Sequence, residues 1–190
     1  MITDPVPRAA GRRGRYSRSD ELRDLALPPA RSLEALSGAI AAALADGERA
    51  AVQAACAVFA VEVVRAHGAP PPSVSVLGVR PHRDERGRCV YEKFGDYDLK
   101  TARIRVWMRT AQRRQVTSSG TLLSTLCHEL CHHLDVVRLG FPDTPHTRGF
   151  FERAALLYHS ARGTPPRTLF WQRLAGERYR IDWRRTMARP

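Results

Sequence analysis

The sequence predicts an α+β fold in which a small three-stranded sheet lies beside a helix carrying most of the chain's histidines. Three observations predict it. Apolar residues recur at helical spacing from Ser32 to Gly68, switch to strict alternation between Ser73 and Met108, and return to helical spacing near Ser118. The triple proline Pro70-Pro71-Pro72 marks the first switch, because proline cannot donate the helical hydrogen bond and clashes with the preceding turn. At 190 residues, the chain is long enough for one sizeable domain with flanking segments to spare.

The elements follow in order. Residues 1–30 are rich in Pro, Gly, Arg and Ser, show little periodicity, and are expected to form a basic, mostly disordered arm. "SLEALSGAIAAALA" (32–45) reads as a helix capped by Ser32, with Leu33, Leu36, Ile40 and Leu44 on one stripe. The segment 47–68 is apolar nearly all round and reads as a central buried helix ending at Gly68. Alternation predicts strands over 73–79, 88–94 and 102–108, with "RPHRDERG" and "GDYDLKT" as the turns between them. In the third strand Ile104, Val106 and Met108 face one way, while Arg103, Arg105, Trp107 and Arg109 face the other, giving a basic outer face. A helix from Ser118 or Ser119 to about Leu139 stops at Gly140, and another follows His146 to near Gly163. The domain is bounded at 31–165, and 166–190 form a basic C-terminal tail without a readable pattern.

Composition narrows the function classes. No apolar run reaches the ~18 residues a membrane span needs, and the N-terminus has arginines but no apolar core of a secretory signal, so a cytoplasmic protein is expected. The four cysteines include no C-x-x-C pair, which excludes a zinc ribbon; Cys127 and Cys131 read as small buried hydrophobes. Net charge is +12, and of 31 basic residues only Lys93 and Lys100 are lysine, leaving 31 − 2 = 29 arginines. Guanidinium binds phosphate through two parallel hydrogen bonds, so nucleic acid is a candidate partner. The candidates are Arg12, Arg13 and Arg15 in the arm, and Arg103, Arg105 and Arg109 around Trp107, whose ring could stack on a base.

Four of the seven histidines fall within the nineteen positions from His128 to His146. Each helical residue turns the chain by about 100°, so His128 and His132 lie about 40° apart and one turn along the axis. Both imidazoles can then reach one zinc ion at ~2.0–2.1 Å, with Glu129 at the edge of the same face to hold a metal-bound water and take its proton. Catalytic zinc takes three protein ligands, and His146, returning after the Gly140 stop, supplies the third; one zinc per chain is expected. Glu152 is the alternative third ligand, with an arginine partner the more economical role. His133 points about 100° away from His132 and reads as a structural or surface histidine, not a ligand. Asp135 shares the His128 face and is a candidate either to orient a ligand imidazole or to cap a neighbouring group. Tyr97 is a candidate oxyanion donor if its turn folds over the site.

The stretches "GDYDLKTARIRVWM", "LLSTLCHELCHHLD" and "HTRGFF" resemble the SprT-like zinc metallopeptidase domain, also found in Spartan-type DNA–protein crosslink proteases, over about residues 48–160. The resemblance implies a zincin-like fold, zinc ligands at His128, His132 and His146, a catalytic glutamate at Glu129, and zinc-dependent endopeptidase activity, with DNA-associated proteins as targets. The chain departs from the family in lacking a following zinc ribbon and in carrying His-Thr-Arg-Gly-Phe where His-Gly-x-x-Phe is usual. Two other readings stand beside it: a nucleic-acid-binding protein with an inactive or structural zincin core, and a dedicated peptidase with one regulatory protein target. The strand 102–108 is expected to offer its edge to an extended substrate.

Overall fold

Helical spacing between residues 30 and 65 produces two helices, α2 (Ala30–Asp46) and α3 (Arg49–Arg65), preceded by α1 (Ala10–Glu21). The computed structural model describes residues 1–86 and 88–188. Leu33, Ile40 and Leu44 of α2 are buried, as their stripe predicts. Its N-cap is Pro29 without a side-chain cap, so Ser32 sits inside the first turn and does not cap the helix. The expectation for α3 also needs correcting. It buries Val52, Cys56, Phe59, Ala60, Val63 and Val64, but Val58 and Val61 stay 55% and 47% exposed, because only one face meets the rest of the fold.

The sheet has three strands, in the order β1 (Ser73–Val79), β5 (Arg103–Arg109), β4 (Gly95–Asp98). β1 and β5 run parallel with Val76 opposite Val106, while β4 is antiparallel to β5 with Asp96 opposite Arg105. Membership therefore differs from the expectation. Residues 88–92 form β3, which pairs with β2 (His82–Glu85) as a separate hairpin, and the "GDYD" stretch expected as a turn is the third strand. Turn-forming Gly95, Asp96 and Asp98 become a strand because Arg105 grips Asp96 across the ladder at 2.6 and 3.0 Å.

β5 turns Ile104, Val106 and Met108 into a core shared with Leu122, Leu126 and Leu130 of α4 (Ser119–Leu134). Ser118 caps α4 by accepting from the Thr121 N–H, and the helix widens into a π-turn over Asp135–Leu139 before Gly140 closes it at φ 74°. α5 (Arg148–Ala161) packs back against α4, capped by Thr147.

Residues 1–30, expected to be mostly disordered, instead fold onto α5 through α1. Asp20 pairs with Arg148, the Ser19 and Thr147 hydroxyls lie 3.0 Å apart, and fully buried Arg153 donates to the Ser19 carbonyl at 3.1 Å. A Cβ at position 149 would overlap the Ser19 carbonyl oxygen, so glycine there lets α1 approach. The helix is held by these tertiary bonds and not by an apolar stripe, which is why periodicity misses it. The tail forms a hairpin of β6 (Trp171–Arg173) and β7 (Tyr179–Ile181), then a short α6 (Trp183–Met187). Thr3 bonds to Tyr179 through both its N–H and its side chain, at 2.8 Å each. Among the described residues, no helix is long and apolar enough to cross a membrane.

Candidate metal centre

One turn of α4 separates His128 from His132, and the chain leaving Gly140 brings His146 back just before α5. The three side chains converge through one kind of atom. His128 Nε2 lies 3.1 Å from His146 Nε2 and 3.1 Å from His132 Nε2. Three nitrogens each ~2.0–2.1 Å from a tetrahedral zinc would stand about 3.3–3.4 Å apart. Two of the observed spacings are within a few tenths of an ångström of that, and all three ligand atoms lie within 4.8 Å of one another.

Proton placement points the same way. A carboxylate can only accept, so the Thr144 hydroxyl donates to Asp135 Oδ2 at 3.2 Å. Thr144 Oγ1 therefore accepts from His132 Nδ1–H at 2.7 Å. With its proton on Nδ1, neutral His132 presents an unprotonated Nε2 to the centre. His146 Nδ1 likewise faces Asp4 Oδ2 at 3.6 Å, a charge contact that favours the proton on that side. Burial, reinforced by the neighbouring imidazoles, lowers the pKa of His128 to about 3 and of His132 to about 2, so both are neutral at ordinary pH. This donor set suits zinc, which takes neutral imidazole readily.

Asp135 resolves into an orienting role, exerted through Thr144 and not by direct contact with an imidazole. Its other oxygen pairs with Arg153 at 2.7 Å, both groups fully buried. Asp4 accepts from the His146 N–H at 2.9 Å; burial opposes its ionisation, yet the His146 contacts hold its carboxyl below the usual range.

Glu129 is 6% exposed, beside the histidines and against β4. A Cβ on Gly95 would stand 2.5 Å from Thr125 Cγ2 and 2.9 Å from Glu129 Oε1, so the strand rests directly on the helix face that carries the site. Burial, with help from Asp96 and against Lys93, pushes the Glu129 carboxyl up to about 8.

The remaining candidates disperse. His133 is structural, as expected: its Nε2–H donates to the Pro70 carbonyl at 2.8 Å, leaving Nδ1 to accept. The Tyr97 hydroxyl donates to that Nδ1 at 3.0 Å, so the expected oxyanion donor is instead committed to His133. Glu152 accepts from Arg23 at 3.0 Å and from Trp171 Nε1 at 3.1 Å, away from the triad. The basic outer face is reduced. Trp107 is only 7% exposed and unavailable for stacking, Arg105 is held by Asp96, Arg109 donates to the Arg114 carbonyl, and Arg15 pairs with Asp143 at 2.7 Å. Arg12, Arg13 and Arg103 are exposed. Cys56, Cys127 and Cys131 are free and buried, and burial raises Cys56 and Cys131 to about 12, so they are inert thiols.

Sequence reasoning missed Asp4 and Thr144. Neither lies at a helical interval from the histidines, and only the fold brings them there. Compared with family models, curated proteins and solved structures, the chain matches none of them.

Proposed function

We propose that the chain is a zinc-dependent metallopeptidase, with His128, His132 and His146 as ligands and Glu129 as general base. The observation that carries this reading is the convergence of three histidine side chains on one point, with the His132 Nδ1–H bond leaving its Nε2 lone pair facing the other two. Bound zinc would supply Lewis acidity, lowering the pKa of a water and polarising a peptide carbonyl.

The protein's own groups account for the rest. Glu129 stands beside the triad, where a cation would favour its ionised form and let it take a proton from an attacking water and return it to the departing amine. Asp135, through Thr144, fixes the His132 ring and its tautomer. An extended peptide has an edge to pair with, although not the one expected. β5 is the central strand, so both its sides are occupied; β1 and β4 are the edges, and β4 is the one beside the site. Trp107 N–H bonds the Phe94 carbonyl, and alternation along an antiparallel strand then turns the backbone groups of Gly95 and Tyr97 away from β5. That outward row borders the groove holding His128, Glu129 and His132. The same activity is implied by the resemblance to the SprT-like domain. Nucleic acid stays outside this reading, because a solvated basic surface accounts for the exposed Arg12, Arg13 and Arg103.

Metal analysis of the purified protein tests the centre, and should give one zinc per chain. Alanine at His128, His132 or His146 should abolish it. Glu129→Gln should keep the zinc and lose ~10²–10⁴-fold of proteolysis on an unfolded protein substrate. Wild-type protein that takes up no zinc, or a Glu129→Gln variant as active as wild type, would overturn the proposal.

A further inference from the structure

The third ligand is the one that helix geometry does not hold. His128 and His132 are fixed by α4, but His146 precedes α5 and belongs to no regular element. Both its main-chain polar groups are nevertheless engaged, and by one residue. Asp4 N–H donates to the His146 carbonyl at 2.8 Å, and the His146 N–H donates to Asp4 Oδ2 at 2.9 Å. The same carboxylate oxygen faces His146 Nδ1, on the side of the ring opposite the converging Nε2 atoms. It supports the imidazole from behind and does not compete for the centre.

Asp4 is itself fastened. Its carbonyl accepts from the Tyr16 hydroxyl at 3.0 Å, and Tyr16 is only 5% exposed on α1. Thr3 is stitched to Tyr179 on the other side. α1 is anchored in turn by Asp20–Arg148 and by Arg153, whose second partner is Asp135. The N-terminal segment therefore reaches His146 through Asp4, and shares Arg153 with the chain that orients His132.

We infer that residues 1–22 are the outer support of the metal centre, with Asp4 the positioning residue for His146. The inference rests on the metal reading above. A carboxylate behind a ligand imidazole fixes its ring and strengthens it as a donor, and removing such a partner lowers metal affinity ~10–100-fold. Coupling is reciprocal, so metal binding must hold the N-terminal segment down by the same factor.

The test compares wild type, Asp4→Asn and Asp4→Ala in the full-length chain. Zinc affinity is read by competition with a chromophoric chelator, and stability by urea unfolding of the metal-free protein. The asparagine variant retains an oxygen for the His146 N–H but not the charge. Asp4→Asn is expected to bind zinc ~10–100-fold more weakly with only a small drop in the metal-free unfolding midpoint, whereas Asp4→Ala lowers both further. Tryptic cleavage among Arg8, Arg12, Arg13 and Arg18 should slow on adding zinc to wild type, and that protection should shrink in Asp4→Asn. Asp4→Asn affinity within twofold of wild type, or affinity lost only in proportion to metal-free stability, overturns the positioning role while leaving the metal centre intact. Wild type that binds no zinc overturns the metal reading itself, and this inference with it.

Discussion

Replacing Glu129 with glutamine should make the metal-free protein more stable. The carboxyl is buried, and its pKa is pushed from 4.5 to about 8. An acid whose folded pKa is raised takes up a proton on folding across that interval, so its contribution to stability falls as pH rises from about 4.5 to 8. At about 1.4 kcal/mol per pH unit, the penalty is about 3 kcal/mol at pH 7 and about 1 kcal/mol at pH 5. A glutamine side chain would fill similar space without a charge to desolvate, so the Glu129→Gln variant should lead wild type by those amounts. His128 and His132 have lowered pKa values and act with the opposite sign, losing stability as pH falls below about 6.5. They are common to both proteins and cancel in the difference. The assay is urea unfolding of chelator-treated wild type and variant at pH 5, 6, 7 and 8. Added zinc should narrow the gap, because a cation beside Glu129 favours its ionised form. A variant no more stable than wild type at pH 7, or a difference independent of pH, would refute the reasoning. The gain would come with lost proteolysis, the usual exchange at a site built to hold an uncomfortable charge.

Two further substitutions probe the surroundings. Arg153→Met leaves fully buried Asp135 without its cation and should lower unfolding free energy by ~3–5 kcal/mol, measured by urea titration; a loss below ~1 kcal/mol would show the pair to be dispensable. Gly95→Ala drives a methyl into Thr125 and should destabilise by ~1–3 kcal/mol, with Thr125→Ser in the same chain restoring part of the loss in a thermal melt.

The histidine centre was legible in the sequence because its logic is local. His128, Glu129 and His132 lie within one and a half turns of a helix whose cap, Ser118, and stop, Gly140, are also written in residue type. His146 was within reach of the same reasoning, being a histidine returned by the turn at Gly140. β4 was not legible: Gly95, Asp96 and Asp98 carry turn propensity, and only the partner Arg105, nine positions on from Asp96, makes them a strand. α1 was hidden for a related reason. Its anchors Ser19, Asp20 and Tyr16 are polar or amphipathic, so a periodicity search finds no stripe, while the groups that hold it, Arg148 and Arg153, sit far along the chain. Trp107 shows the reverse error: placed on the outer face by alternation, it is buried because the outer face is itself partly covered.

The bond from the His146 amide to Asp4 spans 142 residues. At ribosomal rates of ~5–20 residues per second, Asp4 waits roughly 7–30 s for its partner to be synthesised. During that interval the first helix has no surface to rest on, and the two α4 histidines emerge before the third. A nascent chain can therefore present only a two-coordinate site to any passing cation. The three histidines can come together once His146 has emerged, but the support that the N-terminal segment gives to His146 is complete only when the 142-residue contact with Asp4 has closed.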